Sequence, residues 1–100
     1  MKPIRSEETS MLRQELARLL WCLRSIRKQN LPQNELVHRV SILLTEAGPI
    51  GRFVRVSIQP SEGPLGYQLL ARADNRKLRQ LEHGQPVSVE HGQVAVTDHV

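Results

Sequence analysis

The first segment of the chain carries leucines at a spacing that suits one structure. Leu12, Leu16, Leu19 and Leu23 follow one another at intervals of four, three and four residues, and Ile26 continues the row three residues later. This spacing places the side chains along one side of an α-helix. Because such an apolar row has to be covered, the sequence predicts a helix that packs against another element or against a second copy of the chain.

The length of the chain makes self-association the first hypothesis. A chain of 100 residues forms one small domain, and such a domain buries roughly 65% of its unfolded surface, a marginal core that oligomerisation often supplements. We therefore expect a homodimer through the first helix. The expected interface comprises the apolar arc of this helix and the tryptophan that lies off that arc: Leu12, Leu16, Leu19, Leu20, Trp21, Leu23 and Ile26.

Proline and glycine divide the single domain, residues 1–100, into parts. Residues 1–5 are expected to be a flexible N-terminus, residues 6–47 the helical part and residues 52–97 the β-rich part. The first helix is predicted from about Ser6 to Gln29, with glutamates early and basic residues late, an order that complements the helix dipole.

The second helix is bounded by two prolines. Pro32 is predicted as its first residue, and Gly48-Pro49 is predicted to end it. Apolar residues between these points recur at helical spacing, from Leu36 to Ala47.

After Gly51 the apolar pattern changes from helical to alternating, which is typical of strands. Two alternating stretches flank a loop from Pro60 to Gly66, so they are predicted to form a hairpin. The residues expected on one side are Val54, Val56 and Ile58 in the first stretch and Tyr67, Leu69 and Ala71 in the second. Phe53, Arg55 and Ser57 are expected on the opposite side.

The C-terminal segment repeats a short motif. Glu82-His83-Gly84-Gln85 returns eight residues later as Glu90-His91-Gly92-Gln93, and each copy precedes valines at alternating positions. A two-residue turn at His91-Gly92 would place Val89 opposite Val94 and Val87 opposite Val96. The pattern therefore predicts a second hairpin.

Together these segments predict an α+β fold. We expect two N-terminal antiparallel helices packed on an antiparallel sheet of two β-hairpins. Asp74 is suited to cap a short third helix between the hairpins, ending near Gly84.

The sequence provides no recognisable catalytic or cofactor-binding pattern. The histidines lack the paired spacing of a zinc site, and no glycine-rich segment leads from a strand into a helix as phosphate-binding loops do. Cys22 lies at the edge of the leucine row, where a small buried hydrophobe is ordinary. We therefore expect a protein that is not an enzyme and that needs no metal or cofactor.

The charge balance permits an anionic partner. Fourteen Lys and Arg residues against ten Asp and Glu give a formal charge of +4. The basic residues that could contact phosphates lie on the first helix and on the first hairpin: Arg13, Arg24, Arg27, Lys28, Arg52, Arg55 and Arg72. A winged-helix-like domain is the specific form of this hypothesis.

Two functions follow from these patterns. The first is a small regulatory or adaptor protein that binds another protein, with Trp21 as an interface anchor because Trp is enriched among residues that dominate binding energy. The alternative is a regulator that binds nucleic acid through the basic residues. The single cysteine and the lack of a long apolar run predict a cytoplasmic protein without a membrane partner.

Overall fold

The described residues form helices and a three-stranded sheet, which agrees with the predicted α+β class. The computed structural model describes residues 6–90 and 94–97. In chain order the elements are α1 (Ser6–Arg27), α2 (Gln33–Glu46), a 3-10 helix (Gly48–Phe53), β1 (Val54–Pro60), β2 (Tyr67–Ala73), α3 (Asn75–Glu82) and β3 (Val94–Val96).

The leucine row of α1 lies inside the core of its own chain. Helix α1 contacts α2, β2 and the 3-10 helix, and it buries Leu16, Leu19 and Leu23. The rest of the buried core comes from α2, the 3-10 helix, the sheet and α3: Leu36, Val40, Leu44, Phe53, Val54, Val56, Ile58, Leu69 and Leu78. The chain's own elements therefore cover the apolar row, while the antiparallel course of α1 and α2 stays a prediction.

The sheet is mixed, with β1 between β2 and β3. Strands β1 and β2 form the predicted antiparallel hairpin, in which Arg55 lies opposite Arg72. The alternation in β1 is as predicted except at Phe53. This residue ends the 3-10 helix and is buried in the core, because the chain has not yet entered the strand at that point.

The predicted second hairpin, and with it the purely antiparallel sheet, is wrong. Strand β3 pairs parallel with β1, and Val94 lies beside Val56. Val87 and Val89 belong to no strand, and Val89 is 77% exposed. Pairing with a central strand that is already packed on the core is more favourable than an isolated two-stranded hairpin, which is marginally stable in water. The proposed turn at His91-Gly92 lies outside the described residues.

The predicted short third helix is confirmed as α3. The Asp74 carboxylate accepts a hydrogen bond from the Lys77 backbone N–H at 3.1 Å, which caps the first turn. Gly84 has φ +69°, and Gln85 N–H donates to the Gln80 carbonyl at 2.8 Å, an arrangement that ends a helix. The first copy of the repeated motif is thus a helix terminus and does not lead into a strand.

The two faces of the sheet differ in their surroundings. The inner face carries buried side chains such as Val56, Ile58 and Leu69. Successive residues of a strand point to opposite sides, so Arg55 and Arg72 lie on the outer face, where both are exposed. These two side chains are therefore accessible to solvent in the described part of the chain.

Candidate functional site

A concavity of about 650 Å³ lies where the sheet, the end of α1 and the start of α3 come together. Its lining includes the outer-face residues Ser57 and Gln59 and a set of cationic side chains. We call it the basic concavity because of its cationic lining residues, which are Arg24 and Arg27 of α1, Arg55 of β1, Arg72 of β2 and Lys77 of α3.

The register of the hairpin places two arginines side by side in this concavity. Arg55 and Arg72 are directly opposite on β1 and β2, and like charges at opposite positions destabilise a sheet. Neither guanidinium forms an ion pair with a carboxylate of the described residues. An anion bound between them would offset the repulsion.

In the part of the chain that the structure describes, Asp74 is the acidic residue that lines the basic concavity, and its carboxylate already has a structural role. Its Oδ1 accepts the hydrogen bond that caps α3. The Lys77 ammonium donates to the Arg52 carbonyl at 3.1 Å, which fixes the Lys77 side chain beside the sheet. Among the described residues, the lining therefore has an excess of positive charge that Asp74 does not balance.

Four of the seven basic residues predicted as nucleic-acid contacts meet in this concavity, and the other three lie elsewhere. Arg13 pairs with Glu82 and so links α1 to α3. Arg52 donates through Nε to the Pro49 carbonyl at 3.0 Å, and its guanidinium carbon lies 5.7 Å from the centre of the Phe53 ring. Lys28 follows the end of α1 and does not line the concavity.

Sequence reasoning missed Lys77. The residue follows the capping Asp74 by three positions, and this spacing places it in the first turn of a short helix that directly follows β2. A capping residue at the end of a strand was thus the signal that could have identified it, because the cap fixes where the next basic side chain lies.

The residues predicted for a protein interface separate into two groups. Leu16, Leu19 and Leu23 are buried, and the partly buried remainder packs against the same core: Leu12, Leu20 and Ile26. Trp21 is 68% exposed on the opposite side of α1. Within the folded chain, Trp21 is therefore the one member of this predicted set that presents a large exposed surface.

Three further features of residues 6–90 and 94–97 concern metal binding, the cysteine and the membrane. No three His, Cys, Asp or Glu side chains of this part of the chain are grouped to hold a metal ion. Cys22 is a free, half-buried thiol. Of the helices described, none combines the length and apolarity that crossing a membrane requires.

Comparisons with protein-family models, curated proteins and solved structures found no match to this chain.

Proposed function

We propose that the protein is a non-enzymatic regulator that binds nucleic acid by placing phosphates in the basic concavity. The observation that carries the proposal is the exposed Arg55–Arg72 pair on the outer face of the sheet, with Arg24 and Arg27 in the lining of the same concavity. A guanidinium group matches the geometry of a phosphate and can bind it through two parallel hydrogen bonds. A sugar–phosphate backbone supplies such anions at regular intervals, so it can neutralise several arginines at once.

The whole chain has the charge that this function needs. The formal net charge is +4, and positive charge attracts nucleic acid over distances beyond direct contact. The first hairpin buries Val56 and Leu69 in the core. The hairpin that forms the wing of a winged-helix domain instead projects from the domain. We therefore propose binding on the sheet face and at the end of α1 in place of a winged-helix mode.

The salt dependence of binding provides the test. Fluorescence anisotropy of a labelled mixed-sequence oligonucleotide, measured between about 50 and 200 mM salt, gives the affinity and its slope against salt concentration. Arg55→Gln and Arg72→Gln should each weaken binding to every sequence and reduce the slope by about one unit.

Arg39→Gln is the matched control, since it removes the same charge from an exposed arginine of α2. Arg39 pairs with Glu35 at 3.3 Å and does not line the concavity. Equal effects of Arg39→Gln and Arg55→Gln would mean that only the net charge matters. A wild-type protein that binds no oligonucleotide at low salt would refute the proposal.

A second candidate function is supported by the exposure of Trp21. A protein-binding adaptor, including a homodimer through α1, would use Trp21 as its anchor, because large aromatic side chains dominate many interfaces. Sedimentation velocity at tens of micromolar tests the homodimer directly. A dimer that Trp21→Ala converts to a monomer would favour this function, and a monomeric wild type would refute the homodimer.

For both functions we propose the cytoplasm as the location, because a reducing compartment suits the single free thiol of Cys22.

A further inference from the structure

We infer that the nucleic acid is single-stranded and that one of its bases stacks on Trp21. This inference rests on the proposed function and names its ligand more narrowly. Trp21 precedes Arg24 by three residues in α1, and side chains at this spacing are neighbours on a helix surface. Because Arg24 lines the basic concavity, Trp21 is a surface neighbour of one residue of that concavity, although the ring is not part of the lining itself.

Trp21 does not contribute to the core, so core packing does not explain why a tryptophan occupies this position. The buried core is built from aliphatic residues and Phe53, and Trp21 lies about 200° around the helix from Leu23, away from that core. Tryptophan is usually mostly buried in folded proteins, yet this ring is 68% exposed. A large exposed ring beside a concavity rich in arginine is the combination that proteins use to hold single strands, with stacked bases and neutralised phosphates.

The combination favours a single strand over a duplex. In a duplex the bases are stacked on one another, so an external ring cannot stack on their faces, whereas the bases of a single strand can turn outward. Ser57 and Gln59 also line the concavity, and their polar side chains can form hydrogen bonds with exposed base edges or with the sugar–phosphate backbone.

The chain carries its own probe for this contact, since Trp21 is the sole tryptophan. The experiment titrates the protein with an oligothymidylate of about ten nucleotides, within the range that small single-strand-binding folds cover. Tryptophan emission reports stacking, and anisotropy of a labelled copy of the same oligonucleotide reports binding independently. A duplex of equal length serves as the comparison ligand.

We expect the single strand to quench Trp21 emission and the duplex to leave it largely unchanged at saturation. Trp21→Ala should weaken single-strand binding about 5-fold or more, and Trp21→Phe should recover much of the loss because it retains a ring. Met11→Ala is the matched control, because Met11 is also apolar and 62% exposed on α1 but does not line the concavity. It should bind the single strand like the wild type.

The outcomes separate this inference from the function on which it rests. Salt-dependent binding by anisotropy, with unchanged Trp21 emission and wild-type affinity of Trp21→Ala, would overturn the stacking inference and leave the nucleic-acid function intact. Failure to bind any oligonucleotide would overturn both. Poly-glutamate that displaces the oligonucleotide at equal charge concentration, and quenches Trp21 as strongly, would also overturn both in favour of an acidic protein partner.

Discussion

Trp21 and Leu23 are two residues apart in α1 and have opposite environments. Successive residues of an α-helix are rotated by about 100°, so this pair points in nearly opposite directions. Leu23 is 0% exposed and Trp21 is 68% exposed. At the scale of single residues, the leucine spacing thus separates the side chains that stabilise the fold from the one that is available for binding.

Alanine substitutions should separate these two roles. Leu23→Ala is expected to lower the free energy of unfolding by about 2–5 kcal/mol, because it leaves a cavity in a packed core. Trp21→Ala should change it by less than about 0.5 kcal/mol, as is usual for exposed positions. Urea denaturation followed by circular dichroism measures both. If Leu23→Ala left the fold stable but dissociated a dimer, the leucine row would belong to an interface between chains.

Tyr67 offers a second prediction at this scale. Its hydroxyl oxygen is buried and has no hydrogen-bond partner among the described residues. A buried polar group without a partner loses its bonds to water on folding. Tyr67→Phe is therefore expected to raise the free energy of unfolding by up to about 1 kcal/mol, measured in the same urea experiment. A clear decrease would show that the hydroxyl has a partner in solution.

Among the elements, α3 connects stability to the proposed site through Asp74. The carboxylate caps the helix and also lines the basic concavity. The cap stabilises the short helix that carries Lys77, while the negative charge opposes the binding of an anion. Substitutions that keep the cap and remove the charge can separate these two effects.

Asp74→Asn should preserve the cap, because asparagine is as good a capping residue as aspartate. We expect its thermal stability to match the wild type within a few tenths of a kcal/mol and its affinity for oligonucleotides at low salt to increase. Asp74→Ala should lower the free energy of unfolding by about 1 kcal/mol. Calorimetry and anisotropy measure the two effects. Weaker oligonucleotide binding by a stably folded Asp74→Asn protein would argue against phosphate binding in the concavity.

The elements that the sequence predicts are those whose signals are local. Helical spacing locates α1 and α2, alternation locates the first hairpin, and Asp74 with Gly84 marks the ends of α3. Local signals do not predict the pairing of β3. Val94 could pair with Val89, which is near in the sequence, or with Val56, which is distant, and in the fold it pairs with Val56. Local periodicity does not encode that competition.

The sequence predicts most of the basic residues of the candidate site, but it does not predict that they come together. The sequence predicts four of these basic residues on three elements, the first helix and the two strands of the first hairpin: Arg24, Arg27, Arg55 and Arg72. Their meeting depends on the contact between α1 and β2, which is set by packing of the whole core. The same packing adds Lys77 to the group, and the capping Asp74 three residues earlier is the sequence signal for its position.

At the scale of the whole molecule, the mixed sheet joins distant parts of the chain. Strand β3 lies parallel to β1 on the side opposite β2, and parallel strands require a crossover connection. Here the connection includes β2 and α3. The strands β1 and β3 are therefore neighbours in the sheet although they are far apart in the sequence. On the outer face of this sheet, the exposed Arg55 and Arg72 line the basic concavity.

The parallel pairing predicts different effects for two valines that the hairpin pattern would treat alike. Val94 is partly buried against the core, so Val94→Ala should lower the free energy of unfolding by about 1 kcal/mol. Val89 is 77% exposed and belongs to no strand, so Val89→Ala should change it by less than about 0.5 kcal/mol. Nuclear Overhauser contacts between the backbones of Val56 and Val94 should accompany this difference. Equal destabilisation by the two substitutions, together with contacts between Val89 and Val94, would instead establish the antiparallel hairpin and an all-antiparallel sheet.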